Sequence, residues 1–232
     1  MSRSYRPLAF TPSVIDAQVA YGSRAALERL DRTHPGPGGP VGPGGPRADP
    51  VDGPEQPHSV RDPLTDEERE FIAGMDGFYL ATISETGWPY VQFRGGPPGF
   101  VTTDEHTIAW PDFRGNRQYI SAGNLAHDSR AAIIFMDHAR QARLKVYGHA
   151  RIADLRSTPP GATSEAVGAY RARVEREVRI DVSAYDWNCP QHITPRFSAE
   201  ELAPVLGPLR QRVADLEAEN AQLRDAQRLG SG

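Results

Sequence analysis

The stretch GFYLATISETGWPYVQFR, residues 77–94, decides the fold. Phe78–Ser84 and Tyr90–Arg94 are rich in β-branched and aromatic residues, and the Glu85-Thr86-Gly87 run between them is typical of a tight turn. The stretch therefore predicts a β-hairpin. Similar short segments follow and predict four more strands, at Phe100–Thr103, Thr107–Trp110, Ala131–Asp137 and Arg143–Asp154. Six strands with few helices indicate a mainly β (α+β) fold, a barrel with peripheral helices.

Helical spacing interrupts the strand pattern in two places. Gly115 to His127 carries Tyr119, Ile120 and Leu125 and predicts a short helix between strands. The run from Ser164 to Val178 is charged, and its apolar residues fall on one helical face, so it predicts a second helix outside the barrel. Those apolar residues are Val167, Tyr170, Val174 and Val178.

Two further helices are predicted before the barrel. Thr65 and Glu68 have the spacing of a capping box, which opens a short helix with Phe71, Ile72 and Met75 on its apolar side. Near the N-terminus, Thr11 with Pro12 in the first turn predicts a single longer helix. Its apolar side would contain Ile15, Val19, Ala26 and Leu30.

Composition divides the chain into four parts. Between His34 and Pro63, glycine and proline fill 16 of 30 positions. Such a segment buries too little apolar surface to offset its ordering entropy, so it predicts a linker or insert. We therefore predict an N-terminal helical arm at 1–33, a linker at 34–63, a folded domain at 64–198 and a helical tail at 199–232.

The tail has a seven-residue repeat of leucine at 202, 209, 216 and 223, with Leu206, Val213 and Asn220 at the complementary positions. This is a leucine-zipper pattern, and Asn220 favours a parallel pair. Pro204, Gly207 and Pro208 should interrupt its first turns. Two interpretations stay open, a coiled coil between two chains and an amphipathic helix packed on its own domain.

Composition excludes several classes of function. The 26 basic and 30 acidic side chains give a net charge of −4, which is unlike a nucleic-acid-binding protein. No apolar run is long enough to span a membrane, and the first residues lack a secretory signal, so we expect a cytoplasmic protein. The histidines are scattered and there is one cysteine, Cys189, so no metal site is predicted.

Two segments rich in glycine and arginine are candidates for anion binding. One is Gln92-Phe93-Arg94-Gly95-Gly96 at a strand end, and the other is Phe113-Arg114-Gly115-Asn116-Arg117-Gln118 before a helix. Glycine lets backbone amides approach a phosphate, a helix start offers unpaired N–H groups, and arginine adds charged hydrogen bonds. The alternative is that the arginines are merely solvated and the glycines only form turns. Neither a Walker loop nor a Rossmann fingerprint is present.

These segments, with Gly87-Trp88-Pro89-Tyr90-Val91-Gln92, Gly123-Asn124-Leu125 and Lys145-Val146-Tyr147-Gly148-His149-Ala150, resemble the pyridoxamine 5′-phosphate oxidase-like FMN-binding proteins. The resemblance covers about Leu64 to Phe197. It implies an FMN-binding split β-barrel, as a homodimer with FMN at the subunit interface. It also implies cofactor-binding roles for Gln92, Phe93, Arg94, Gly95, Arg114, Gly115, Asn116, Arg117, Gln118, Asn124, Trp187, Gln191, His192 and Arg196.

The resemblance implies an FMN-dependent oxidoreductase, with a small organic or nicotinamide donor and a small acceptor or oxygen. No catalytic side chain is assigned, because the flavin carries the hydride chemistry. The arginine-rich ending of true pyridoxamine-phosphate oxidases is replaced here by the zipper-like tail. The alternatives are a non-catalytic protein that binds flavin, deazaflavin or haem, and a dimeric interaction module that uses the C-terminal helix.

Overall fold

The computed structural model describes residues 4–33, 63–155, 170–187 and 190–229, without the side chains of 30–33 and 225. The described residues form two compact units, one up to 137 together with 142–190, and one of 138–141 with residues from 191 onward. Apart from Pro63, the predicted linker lies outside the described residues. The four-part division of the chain stays a prediction.

Seven antiparallel strands form one sheet in the described part of the chain, in the order β2-β1-β5-β6-β7-β4-β3. The sheet is open, because its edge strands β2 and β3 are not paired with each other. This confirms the mainly β fold with a split barrel. The strands are β1 Gly77–Ile83, β2 Pro89–Gly95, β3 Thr102–Thr103, β4 Thr107–Phe113, β5 Arg130–Asp137, β6 Ala142–Asp154 and β7 Val174–Trp187.

The longest strand, β7, contradicts the predicted helix at Ser164 to Val178 from residue 170 onward; residues 164–169 lie outside the described part. Val178, Ile180 and Val182 are buried at every second position, which is the period of a strand. Val174 and Val178 are four residues apart, a spacing that fits both a helix face and alternate strand positions. Pairing with β6 decides in favour of the strand, because it runs from Asp154 to Leu144.

The sheet curls around an aromatic core. Phe78 on β1 lies 4.9 Å from Trp110 on β4, ring centroid to ring centroid, although β5, β6 and β7 separate these strands in the sheet. Phe100 and Phe135 also contact Phe78, with centroids at 6.0 and 5.2 Å. All four side chains are almost completely buried. The contact between distant strands shows that the interior of the split barrel is filled with side chains.

Close packing of β6 against β7 explains why residue 148 is a glycine. The register of the two strands shifts between Tyr147 and Gly148. A Cβ atom on Gly148 would lie 2.4 Å from the backbone oxygen of Asp181. The close approach of the two backbones therefore requires glycine here.

The N-terminal arm contains three helices where one was predicted: α1 Tyr5–Ala9, α2 Pro12–Ala20 and α3 Arg24–Thr33. Thr11 and Pro12 do open α2, but the chain breaks at Gly22, whose φ is 77°. The prediction of one helix with a single continuous apolar side was therefore wrong. Among the described side chains of the arm, that of Tyr5 is buried, and its hydroxyl accepts a hydrogen bond from Lys145 Nζ.

Helix α4, Asp66–Ala73, confirms the predicted capping box. Glu68 Oε2 accepts hydrogen bonds from the Thr65 amide at 2.9 Å and from the Thr65 hydroxyl. Glu68 Oε1 accepts a third, at 2.7 Å, from Trp187 Nε1 on β7. Burial raises the pKa of Glu68, but these hydrogen bonds outweigh it, and the pKa is lowered. The same carboxylate thus caps a helix and ties it to the sheet.

Replacing Glu68 with glutamine should lower the free energy of unfolding by about 1–3 kcal/mol at pH 7. The new NH2 group would replace one carboxylate oxygen, and it cannot accept the hydrogen bond that Thr65 or Trp187 donates there. A lowered folded-state pKa means that the ionised form stabilises the fold above the usual carboxyl pKa of about 4.3, and this contribution is lost as the pH falls further. Urea unfolding at pH 7 and pH 3 measures both effects. Glu67→Gln, on the exposed side of α4, should change neither value; an equal loss in both variants would contradict the capping role.

Two more helices complete the described structure. Helix α5, Ile120–His127, begins later than predicted, because Arg117 and Tyr119 have φ values of 60° and 55°. Helix α6, Ala199–Leu229, runs without a break through Pro204, Gly207 and Pro208. The prediction that these residues interrupt the first turns of the tail was therefore wrong.

Candidate functional site

The candidate site is built around a buried carboxylate at one end of the curled sheet. Asp112 on β4 is 3% exposed and accepts hydrogen bonds from two arginines. Arg94 Nη1 lies 2.6 Å from Oδ1, and Arg176 Nε and Nη2 lie 2.9 and 2.6 Å from Oδ2. Arg94 is on the edge strand β2, so its ion pair with Asp112 joins opposite ends of the sheet. This contact holds the split barrel together at the site.

A second carboxylate extends the cluster toward the surface. Glu175 lies 3.6 Å from Arg114 Nε and 3.7 Å from Arg176 Nη1, and it accepts a hydrogen bond from the Tyr119 hydroxyl at 3.1 Å. We call Arg94, Asp112, Arg114, Glu175 and Arg176 the arginine cluster. Three guanidinium groups against two carboxylates leave an excess of positive charge. The buried Nε of Arg94 has no hydrogen-bond partner among the described residues, so the cluster suits an added anion.

The exposed loop from Arg114 to Tyr119 borders the arginine cluster. Arg117 and Tyr119 both have positive φ values, which cost energy in residues other than glycine and are frequent at functional sites. The side chain of Asn116 accepts a hydrogen bond from the Gln118 amide at 3.1 Å, which shapes the turn. Tyr119, at the N-cap of α5, makes no capping hydrogen bond, so the first amides of α5 have no capping side chain. The loop therefore offers backbone donors to an anion.

Two hydrogen bonds hold α5 against the sheet next to this loop. Ser121 donates from its hydroxyl to Gln92 Oε1 at 3.1 Å. Asn124 Nδ2 donates to the Thr82 hydroxyl at 3.0 Å, and both residues are buried. The side chain of Gln92 thus contacts α5, and that of Asn124 is occupied in positioning α5.

Phe93 is separated from its neighbours on β2 by the alternation of the strand. Its ring packs on Tyr79 at 5.4 Å on the outer face of the sheet, while Gln92 and Arg94 point to the other face. Gly95 ends β2 opposite Gly77. Of this predicted segment, only the side chains of Gln92 and Arg94 therefore reach the arginine cluster or α5.

Of the four late predicted residues, Trp187 alone belongs to the compact unit that contains the arginine cluster, and it lies at the other end of β7. Trp187 donates to Glu68 and packs edge-on against Phe71 at 4.7 Å. It lies eleven residues from Arg176 along β7, or about 36 Å at roughly 3.3 Å per residue. Gln191, His192 and Arg196 belong to the second compact unit, where all three are exposed and His192 has a φ of 65°.

Sequence reasoning missed Asp112, Glu175 and Arg176. One signal for Asp112 was present, because it follows Ile108 and Trp110 at every second position of a strand with a buried face. An acidic residue at such a position indicates a buried cationic partner. Glu175 and Arg176 were hidden because their segment was interpreted as a helix.

An apolar patch covers the outer face of the sheet. Tyr79, Val91 and Phe93 are all exposed, Tyr79 by 44%. Tyr79 and Val91 border a shallow trough of about 190 Å³ that ends at Lys145 and Tyr147, where Tyr5 packs on Tyr147. Burial lowers the pKa of Lys145, but the Tyr5 hydroxyl and Asp186 outweigh it, so the pKa is raised and the ammonium form is favoured.

The described residues were also searched for metal sites and membrane spans. Across residues 4–33, 63–155, 170–187 and 190–229, no three histidine, cysteine or acidic side chains come together in a way that could hold a metal ion. No helix in the same ranges is both long enough and apolar enough to cross a membrane.

Comparison with known proteins finds one family. Residues 64–184, just over half of the chain, match the model for pyridoxamine 5′-phosphate oxidase. No curated protein matches the sequence.

Similar solved structures include HupZ from Group A Streptococcus, at 18% identity and a TM-score of 0.42, with coverage of 58% of this chain and 99% of that one. A Clostridium acetobutylicum protein related to general stress protein 26 (pyridoxinephosphate oxidase family) has 14% identity, a TM-score of 0.40 and coverage of 59% and 94%. An FMN-binding protein from Syntrophomonas wolfei has 13% identity, a TM-score of 0.38 and coverage of 52% and 83%.

Proposed function

Because the chain belongs to the pyridoxamine 5′-phosphate oxidase family, we propose that it is an FMN-binding flavoprotein that holds the cofactor's phosphate at the arginine cluster. The observation that carries the proposal is that the arginine cluster has one guanidinium group more than carboxylates, with the exposed Arg114 at its edge and an Arg94 Nε that is unpartnered among the described residues. A flavin phosphate is a dianion, so the excess charge of the cluster together with the charge of Arg117 in the adjoining loop would balance it. The loop from Arg114 to Tyr119 would supply further donors.

The residues of the site divide into two roles. Asp112 and Glu175 orient the guanidinium groups of Arg94, Arg176 and Arg114. Arg114 and Arg117 are exposed, and with the amides of Gly115 and Asn116 they are the groups that would donate to the phosphate, while the Gln118 amide holds the turn through Asn116. Gln92 and Gly95 would border the ribityl chain. Bound FMN supplies hydride transfer, and the protein supplies binding and orientation.

The proposed homodimer and the proposed contacts to the flavin ring rest on the family resemblance and on the exposed apolar residues of the sheet. The outer apolar patch of Tyr79, Val91 and Phe93 is of a kind that marks protein contacts, so we propose a homodimer through this face. Trp187, Gln191, His192 and Arg196 would then reach the flavin ring in the dimer. The proposed activity is an oxidoreductase of the cytoplasm, with a small organic or nicotinamide donor and a small acceptor or oxygen.

The first experiment is an absorption spectrum of the purified protein after incubation with FMN and desalting. A retained two-band flavin spectrum that bleaches under anaerobic NADH, NADPH or a small organic donor supports the proposed oxidoreductase. A flavin that is retained but stays oxidised with every donor indicates a binding protein without this activity. A different chromophore would indicate deazaflavin or haem, and a colourless protein that does not take up FMN would contradict the cofactor assignment.

Replacing Arg117 with alanine should weaken FMN binding by about 1.5–3 kcal/mol, because one charged hydrogen bond to the phosphate is lost. Isothermal titration with FMN and with riboflavin separates the cause, since riboflavin has no phosphate and should be unaffected. Arg151→Ala is the matched control, because Arg151 is an exposed arginine on β6 paired with Asp181. Equal FMN affinity in the two variants would remove Arg117 from the site.

A further inference from the structure

The C-terminal helix α6 has a continuous apolar seam. Its 31 residues correspond to a length of about 46 Å at roughly 1.5 Å per residue. Every described side chain of α6 is exposed, including those of the seam. In heptad terms the d positions are Leu202, Leu209, Leu216 and Leu223, and the a positions are Leu206, Val213 and Asn220.

We propose that α6 pairs with α6 of a second copy of this chain as a parallel, in-register, two-stranded coiled coil. The proposal does not depend on flavin binding. A single helix with an exposed seam of this kind is only marginally stable in water, and most helix stability in proteins comes from packing of an apolar face. A second copy presents a seam of the same spacing and supplies that packing.

The helix breakers of the tail lie away from the seam. With Leu202 at d, Pro204 falls at f, Gly207 at b and Pro208 at c, all of which face outward in a two-stranded coiled coil. Each internal proline removes a backbone hydrogen bond and is costly in an isolated helix. The helix nevertheless runs through both prolines. The seam therefore extends from Leu202 to Leu223 and is longer than the repeat downstream of Pro208.

Charges beside the seam are complementary in one orientation. In a parallel pair, a g residue faces the e residue five positions later in the other helix. Arg212 would then face Glu217 of the partner subunit, and Glu219 would face Arg224 of the partner subunit. Both pairs are attractive, and each occurs twice in a symmetric dimer.

Asn220 also selects the parallel arrangement. In a parallel, in-register pair, an a residue meets its own copy, whereas in an antiparallel pair it would lie against a leucine layer. Asn220 Nδ2 donates to the Leu216 carbonyl at 3.0 Å. Its second amide hydrogen and its carbonyl oxygen can therefore bond Asn220 of the partner subunit. A buried asparagine that finds a partner in only one register specifies that register.

Disulfide cross-linking of the full chain tests the pairing. In a Cys189→Ser background, which removes the only native cysteine, Val213→Cys places one thiol in the seam. Ala218→Cys places one at the outward f position. In a glutathione redox buffer, the Val213→Cys protein should become a disulfide-linked dimer, while the Ala218→Cys protein should remain at background. Equal yields, or no dimer at position 213, would overturn the proposal, and the second result is the one expected if α6 packs on its own domain. Because position 213 lies near the middle of the seam, an antiparallel pair is excluded by the charge exchange described next.

A charge exchange distinguishes the coiled coil from a dimer formed elsewhere in the chain. In the Val213→Cys protein, Arg212→Glu alone should slow cross-linking several-fold, because the new carboxylate would face Glu217 of the partner subunit. Adding Glu217→Arg should restore the rate, since the pair becomes attractive again. Failure of the double variant to recover would contradict the assigned register. FMN retention, measured on the same samples, should be unchanged. Loss of cross-linking therefore counts against the pairing of α6, and loss of FMN counts against the proposed cofactor site.

Discussion

Replacing Asp112 with asparagine should lower the free energy of unfolding by about 3–5 kcal/mol, which is the usual cost of removing one partner from a buried ion pair. Asp112 is 3% exposed and is the shared acceptor of Arg94 and Arg176. An asparagine fits the same space but leaves Arg94 without a counter-charge, and Arg176 with that of Glu175 alone, in a poorly solvated site. It also weakens the link between β2 and β4 across the open side of the sheet.

Urea unfolding monitored by circular dichroism measures this change. Asp181→Asn is the matched control, because Asp181 also accepts from an arginine, Arg151, but that arginine is 70% exposed. Exposed ion pairs contribute about 0–1 kcal/mol, so the control should be nearly unchanged. Similar losses in both variants would show that burial of Asp112 is not what makes its ion pairs important.

A triple variant separates the structural role of the cluster from its proposed role in binding. Asp112→Leu with Arg94→Met and Arg176→Met replaces Asp112 and its two arginines with apolar groups of similar length, while Glu175 keeps its contacts with Arg114 and Tyr119. Such replacements are often neutral or stabilising. Stability should therefore recover relative to Asp112→Asn, whereas FMN retention should not. Recovery of both would contradict the proposal that the arginine cluster holds the phosphate.

Replacing Phe78 with alanine should lower the free energy of unfolding by about 3–5 kcal/mol, the range for large-to-small changes at buried aromatic residues. Phe78 is 1% exposed, and its ring contacts those of Phe100, Trp110 and Phe135. These contacts join β1 to β4 through the barrel interior. The cavity left by alanine would therefore weaken the curl of the whole sheet.

The next residue on the same strand supplies the control for Phe78. Tyr79 is a similar aromatic residue that points to the opposite face and is 44% exposed. Tyr79→Ala should lower the stability of the monomer by much less, because little of its ring is removed from water. Thermal unfolding followed by near-ultraviolet circular dichroism compares the two variants. A larger loss for Tyr79→Ala would mean that the outer face, rather than the interior, contributes most to stability.

Local signals in the sequence were sufficient for much of the fold. The Thr65 and Glu68 capping box opens α4 as predicted, because a cap depends only on neighbouring residues. The first hairpin also follows prediction, since alternating burial along β1 and the turn at Gly87 are properties of a short segment. The exposed loop from Arg114 to Gln118 was found for the same reason, as glycine and arginine before a helix are visible without any distant contact.

The predictions that were wrong came from sequence patterns that fit two kinds of secondary structure. Val174 and Val178 fit both a helix and a strand, and pairing with β6 decides between them. The partners of Arg94 could not be predicted either. Asp112 is 18 residues away and Arg176 is on a strand that the sequence pattern concealed. A site assembled from opposite ends of a sheet has no local signature in the sequence.

The sequence by itself determined which short segments become strands, turns and caps, and it placed a candidate anion-binding loop before α5. The heptad seam of α6 is also visible in the sequence, because it depends only on spacing along one helix. Only the tertiary structure decided that β7 is a strand, that Phe93 lies on the outer face of the sheet and Arg94 on the inner one, and that Asp112 accepts hydrogen bonds from two arginines. The physical reason is that these features depend on backbone pairing and burial between residues far apart in the chain, which no local pattern encodes.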